Sequence, residues 1–157
     1  MDILEIKDLE YLAQKRVPKM FFDYVNSGSW SETTYNENVS DFQKIKLRQR
    51  VAIDMSNRTL ETKMVDQKVS MPVAIAPTGL TGMQRADGEI LAAQAAEEFG
   101  IPYTLSTMSV CSIEAVAEKT KKPFWFQLYV MKDKKFMERL IDRAKEAKCS
   151  ALVLTLD

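Results

Sequence analysis

Histidine is absent from this 157-residue chain. The side chain best suited to moving protons near neutral pH, and the commonest protein metal ligand, is therefore missing. Cysteine is nearly absent too. Cys111 and Cys149 are the only two, and neither sits in a CxxC pair. That excludes a disulfide scaffold and a thiolate zinc site, and it suits a reduced, cytoplasmic protein with no metal. No charge predominates, since 22 Lys+Arg balance 22 Asp+Glu. A basic field is the usual footprint of a phosphate-backbone binder, so nucleic acid is not expected as a partner. No apolar run approaches the roughly 20 residues that span a bilayer. The start, Met1-Asp2-Ile3-Leu4-Glu5, lacks the charged-then-apolar pattern of a signal peptide.

What is present is enough apolar material for a core, at 46% of residues. Residues 1–61 read as a helical segment: a short helix over 7–16, a second opened by Pro18 and closed near Gly28, and a third from Glu32 to Phe42. In the second, Phe21, Tyr24 and Val25 share a face. Residues 46–62 show no period and read as connecting structure. Beyond Thr62 the texture changes. A small hairpin, Lys63–Val65 with Lys68–Ser70, precedes four apolar runs: Pro72–Ala76, Pro102–Leu105, Phe124–Val130 and Ala151–Leu156. Between them lie three helical stretches, with Asp87, Ser112 and Asp133 at their starts and Gly100 just past the end of the first. Phe136, Leu140, Ile141, Ala144 and Ala147 form one stripe on the third. Strands alternating with helices of this length mean βαβ units and a parallel sheet.

The strand ends carry the chemistry. Six of the seven residues in Phe124–Val130 are apolar or aromatic, yet Gln127 and Tyr129 sit two apart and so share a face. A buried amide must be hydrogen-bonded or cost about 1–3 kcal/mol. The pair reads either as a ligand-site lining or as a Gln at a sheet edge with a Tyr at a wet rim. The other runs also finish on small polar groups: Pro77-Thr78-Gly79, Ser106-Thr107, and Thr155 with Asp157. In parallel α/β folds ligands bind at the carboxyl ends of strands. One Ser or Thr there is commonly a helix cap; four such ends in succession favour a site.

These residues carry a resemblance. Pro18-Lys19-Met20 with Asp23-Tyr24, Met71-Pro72 through Ala76-Pro77-Thr78-Gly79, Thr104-Leu105-Ser106-Thr107, Trp125-Phe126-Gln127-Leu128-Tyr129 and Leu154-Thr155-Leu156-Asp157 together resemble the FMN-dependent 2-hydroxy acid dehydrogenases and oxidases. That is the group of glycolate oxidase, mandelate dehydrogenase and flavin-linked L-lactate dehydrogenase. The wording over Leu105–Cys111 and Trp125–Val130 is most similar to the bacterial L-lactate dehydrogenase branch. The resemblance implies a TIM (β/α)8 barrel, here its first four strands (a half barrel, residues 62–157) behind the N-terminal helical segment. It implies FMN at the carboxyl-end rim, with Pro77, Thr78 and Gly79 against the flavin and Ser106, Gln127 and Thr155 on its polar pyrimidine edge. Tyr24 and Tyr129 would meet a small L-2-hydroxy acid, Tyr24 at its carboxylate, with Met108 contributing to the pocket wall. Asp157 would orient the family's catalytic histidine. Electrons would pass to a quinone, a cytochrome or oxygen. A tetramer is expected, either free in the cytoplasm or attached peripherally to the inner face of the cytoplasmic membrane.

The departures define what the chain does alone. The family's chemistry needs a histidine base, and none is here. A full barrel takes about 250 residues and eight strands. The chain therefore reads as the N-terminal portion of such an enzyme, inactive by itself. With two sheet edges open and Val73, Ile75, Leu152 and Leu154 intended for burial, it is expected to be sticky, partly molten or self-associated. Two other readings stand beside this one: another FMN barrel, such as an isomerase or an inosinate-dehydrogenase relative, and a non-catalytic half-barrel that serves binding or assembly.

Overall fold

In the computed structural model, residues 3–156 are described, and the chain divides into two compact units, 1–58 and 59–157. The first unit holds three helices: α1 (Ile6–Arg16), α2 (Lys19–Asn26) and α3 (Thr33–Lys44). The Asp8 carboxylate opens α1 by accepting from the amides of Leu4 at 2.8 Å and Glu5 at 3.1 Å. Pro18 stands immediately before α2, where its missing N–H costs nothing. Gly28 lies two residues past the end of α2, whose C-cap is Ser27. None of the three helices buries a residue fully. Phe21 and Phe22 are half-buried in α2, whereas Tyr24 and Val25 are exposed, so the expected shared face of Phe21, Tyr24 and Val25 is not a buried one. Residues 46–61 contain no helix or strand.

The second unit begins with an antiparallel hairpin, β1 (Thr62–Met64) and β2 (Gln67–Val69). Its two turn residues, Val65 and Asp66, both have positive φ (46° and 61°), as a tight two-residue hairpin turn requires. The helices that follow are α4 (Thr81–Gln84), α5 (Gly88–Phe99), α6 (Ile113–Lys119) and α7 (Lys134–Glu146). They alternate with β3 (Thr104–Leu105), β4 (Trp125–Leu128) and β5 (Ala151–Leu154). These three strands form one parallel sheet in the order β3-β4-β5.

The alternation along β4 sorts its side chains. Phe124, Phe126 and Leu128 pack with Ala93 and Ala96 of α5, Ile113 and Val116 of α6, and Leu140 and Ala144 of α7. Trp125 and Gln127 face the other way, and the Trp125 indole donates to Gln67 Oε1 of the hairpin at 3.3 Å. The expected α7 stripe is intact: Phe136, Ile141 and Ala147 flank the buried Leu140 and Ala144.

Two expectations change, and one helix was not anticipated. The run Pro72–Ala76 forms no strand but a single parallel bridge, Ile75 to Tyr103. Ile75 uses both backbone groups there, donating to Pro102 O at 2.9 Å and accepting from Thr104 N at 3.1 Å. Pro72 and Pro77 bracket it without N–H donors, which limits the ladder. Asp87 stands at the start of α5 but does not cap it, because its left-handed backbone (φ 57°) differs from the extended geometry in which Ser112 and Asp133 accept from the third amide on. The short α4 carried no sequence signal, being four residues with a glycine at its second position. Val73, Leu152 and Leu154 are about half exposed, in line with the expected open face of an unclosed barrel. For the two leucines the reason is that β5 pairs with β4 alone. Gly100 does close α5, at φ 71°.

Candidate functional site

Ser106 follows β3, Gln127 sits in β4, and Thr155 follows β5, so the order of the sheet brings three carboxyl ends side by side. Gln127 is 1% exposed and Ser106 3%. Burial at that depth obliges the amide to find partners, and it finds them on both neighbouring strands. Gln127 Oε1 accepts from Ser106 Oγ at 3.3 Å and from Thr107 N at 3.1 Å. Gln127 Nε2 donates to Thr155 Oγ1 at 2.7 Å. Ser106 Oγ in turn accepts from Met108 N at 3.1 Å.

Thr107, named from the sequence only as a polar strand-end residue and given no role in the site, ties the rim together. Its hydroxyl donates to the Gln127 carbonyl and accepts from Tyr129 N at 3.2 Å. Its signal was its place beside Ser106 at a strand end. The segment after Ile75 joins through the backbone, with Leu80 N donating to Met108 O at 2.9 Å. Gly79 lies against the same loop. A Cβ added there would stand 3.1 Å from Met108 Cβ and 3.9 Å from Ser106 Oγ, so even alanine would press on Met108.

Hydrogen-bond capacity is left over. Gln127 Nε2 has a second hydrogen, Thr155 Oγ1 accepts from Gln127 and keeps its own hydrogen, and Ser106 Oγ retains a lone pair. The cluster can thus offer two donors, and acceptor lone pairs on Ser106 Oγ and Thr155 Oγ1, to a further group.

The remaining expected residues are placed differently. Pro77 and Thr78 are exposed, and the Thr78 hydroxyl turns back to Ala76 O at 3.4 Å instead of joining Ser106, Gln127 and Thr155. Tyr129 is 37% exposed beyond the end of β4, and Met108 50%. Tyr24 is 65% exposed on α2 in the first unit. Asp157 lies outside the described residues.

A second buried polar group was missed. Glu89, fully buried in the first turn of α5, accepts through Oε1 from Gly82 N at 3.0 Å and Val110 N at 2.9 Å. Burial alone would raise its carboxyl, but the amides of Val110 and Gly82 outweigh that and hold it below the usual carboxylate range. The Cys111 thiol is pushed up by burial and by this neighbouring carboxylate. The sequence did carry a hint: Glu89 is four and seven residues before Ala93 and Ala96, so it lies on their apolar face.

A cavity of about 230 Å³ lined by Gln67, Gly100, Pro102 and Pro123 lies at the amino ends of the strands, away from these groups. Among the described residues no cluster of three or more Cys, Asp or Glu is arranged to hold a metal, and no helix is long and apolar enough to cross a membrane.

The sequence profile of a family described as FMN-dependent dehydrogenase matches residues 13–157. An L-lactate dehydrogenase of Acinetobacter baumannii is 52% identical over 150 residues, 96% of this chain and 39% of that protein. One from Acinetobacter baylyi is 49% identical over all of this chain and 41% of its own length. The chain thus spans about two fifths of the length of these curated relatives. The structure of a soluble mutant of the membrane-associated (S)-mandelate dehydrogenase from Pseudomonas putida superposes with a TM-score of 0.93 at 36% identity, covering 99% of this chain and 44% of that one.

Proposed function

This chain belongs to the FMN-dependent dehydrogenase family, and we propose that it forms part of a flavoprotein that oxidises a small L-2-hydroxy acid, L-lactate in the first instance, to the 2-oxo acid. L-lactate is supported by the two lactate dehydrogenase relatives. In this reading residues 62–157 are the first four strands of a (β/α)8 barrel, with the Ile75 segment counted as the first, and residues 1–61 are a separate helical segment.

The observation that carries the reading is the spare capacity around Gln127. The pyrimidine edge of an isoalloxazine presents two carbonyl oxygens flanking one N–H, so it asks for two donors and one acceptor. Gln127 Nε2, Thr155 Oγ1 and Ser106 Oγ have enough capacity left to meet that demand, two donors and at least one acceptor. The residues present therefore fit FMN. When bound, FMN supplies the acceptor for the two electrons that leave the hydroxy acid.

The chain's own part is binding and orientation. Ser106, Gln127 and Thr155 hold the polar edge, and Pro77, Thr78 and Gly79 line the flavin. Tyr24 and Tyr129 direct their hydroxyls to the substrate, Tyr24 at its carboxylate and Tyr129 beside the reacting centre. No histidine is present, so the proton is taken by a base outside these residues, which Asp157 orients and stabilises when it is protonated. The final electron acceptor would be a quinone, a cytochrome or oxygen. The whole protein is assigned as a homotetramer in the cytoplasm, with a peripheral place on the inner membrane face supported by the membrane-associated mandelate dehydrogenase.

The test is a titration of the chain with FMN, read by flavin fluorescence. Saturable quenching is expected. In Gln127→Leu, Kd should rise at least roughly fivefold, because a buried polar partner left unmatched costs about 1–3 kcal/mol. L-Lactate, FMN and an artificial acceptor should give no turnover with this chain alone. Equal FMN binding by both proteins would overturn the assigned edge, and turnover would overturn the assignment of the base.

A further inference from the structure

Glu89 is the most deeply buried charged side chain among the described residues, and neither the flavin edge nor the substrate contacts use it. No lysine or arginine pairs with it there. Its Oε2 has no hydrogen-bond partner, while Oε1 takes two backbone amides from separate segments. Gly82 belongs to the segment after the Ile75 bridge; Val110 belongs to the segment after β3. A buried acid with no cation beside it, only the Cys111 thiol, is expensive to keep, and the two backbone amides that donate to it show what it holds.

Three further observations converge on the same junction. Leu80 adopts a left-handed backbone at φ 56° without being glycine, a conformation that persists only where the surroundings enforce it. Its amide is held by Met108 O at 2.9 Å. At Gly82 an added Cβ would stand 2.7 Å from Val110 Cβ and 3.0 Å from Glu89 Oε2, so the two segments approach more closely than any other residue would permit. Asp87, two residues before Glu89, is also left-handed at φ 57°, and this reversal delivers the carboxylate to the junction.

We propose that Glu89 is a positioning residue whose carboxylate clamps the Gly79–Gly82 segment to the Ser106–Val110 segment and so sets Gly79 and Ser106 in register for the flavin. The second half of that statement rests on the flavin reading above; the clamp itself does not. The donors lie three and four residues from Gly79 and Ser106, on the same short segments.

The experiment measures residue-level amide hydrogen exchange and FMN affinity on the same proteins: the 157-residue chain, Glu89→Ala, Glu89→Gln and Gly82→Ala. Glutamine keeps a carbonyl oxygen for both amides and tests rescue. In Glu89→Ala, exchange at Leu80, Gly82 and Val110 should rise at least tenfold, with α7 and β5 within twofold of wild type. Gly82→Ala opens the junction from the other side and should give the same pattern. Glu89→Gln should stay within threefold of wild type at all three amides. FMN Kd should rise at least fivefold in the alanine variants and less than twofold in Glu89→Gln. Unchanged exchange at those amides, or a rise spread evenly through α5, α7 and β4, overturns the clamp. Localised loosening with unchanged FMN affinity overturns its positioning role. If the wild-type chain binds no FMN, the flavin reading fails, and the exchange pattern still decides the clamp.

Discussion

Single residues differ most in how burial treats their polar atoms. Cys149, between α7 and β5, is half-buried, and burial pushes its thiol up to about 11. An ordinary cysteine titrates near 8.5, and the thiolate is the reacting form. At pH 8 Cys149 should therefore alkylate at least roughly tenfold more slowly than a free thiol. Iodoacetamide labelling followed by peptide mapping checks this, and prompt modification at pH 8 would contradict it. Gln127 and Glu89 show what a sequence displays at this scale. Gln127 was legible because an amide in an apolar strand is conspicuous. Glu89 left only the hint of its spacing to Ala93 and Ala96, because a carboxylate near a helix start usually faces solvent and favours the helix dipole. Only the packed neighbours reveal that this one is enclosed.

Between elements, one ion pair links α6 to α7. Arg143 Nε and Nη2 donate to the two Glu114 oxygens, both at 2.7 Å. The Arg143 guanidinium holds the Glu114 carboxyl down at about 2. A depressed folded-state value gives stability that is present above the unfolded value and lost as pH falls through the folded one. The window here runs from about 4.5 down to about 2. Both side chains are roughly half exposed, so solvent screening limits the pair to about 0.5–1 kcal/mol. Arg143→Met should destabilise by that amount in urea melts at pH 7 and low salt, and the difference should shrink as pH is lowered through that window. A difference independent of pH would reject the pairing. Helix starts and stops were readable at this scale wherever the signal was local. Ser112 Oγ accepts from Ala115 N and Asp133 Oδ1 from Phe136 N, both at 3.1 Å. The Pro72–Ala76 run misled, because strand formation needs a partner ladder and not only apolar residues.

For the molecule, the exposed edge of the sheet has consequences. β5 pairs on one side only, and Leu152 and Leu154, in register with Phe126 and Leu128 of the core face, are 48% and 50% exposed. An open apolar edge strand is a template for a second copy. Wild-type chain should show concentration-dependent self-association in sedimentation velocity over a tenfold range, and Leu154→Lys should shift it toward monomer. A wild-type chain that stays monodisperse and monomeric over that range would refute the expectation.

The sequence by itself determined the helix–strand alternation from α5 to β5, the α7 stripe, two of the helix caps and membership of the FMN-dependent dehydrogenase family, because periodicity, capping chemistry and motif order are written in neighbouring residues. Only the tertiary structure decided which groups meet. Gln127 takes its partners from residues 20, 21 and 28 positions away, and Glu89 takes its from 7 and 21. Whether a buried polar atom is satisfied depends on which distant segments pack beside it, and that is a property of the assembled core, not of any stretch of chain.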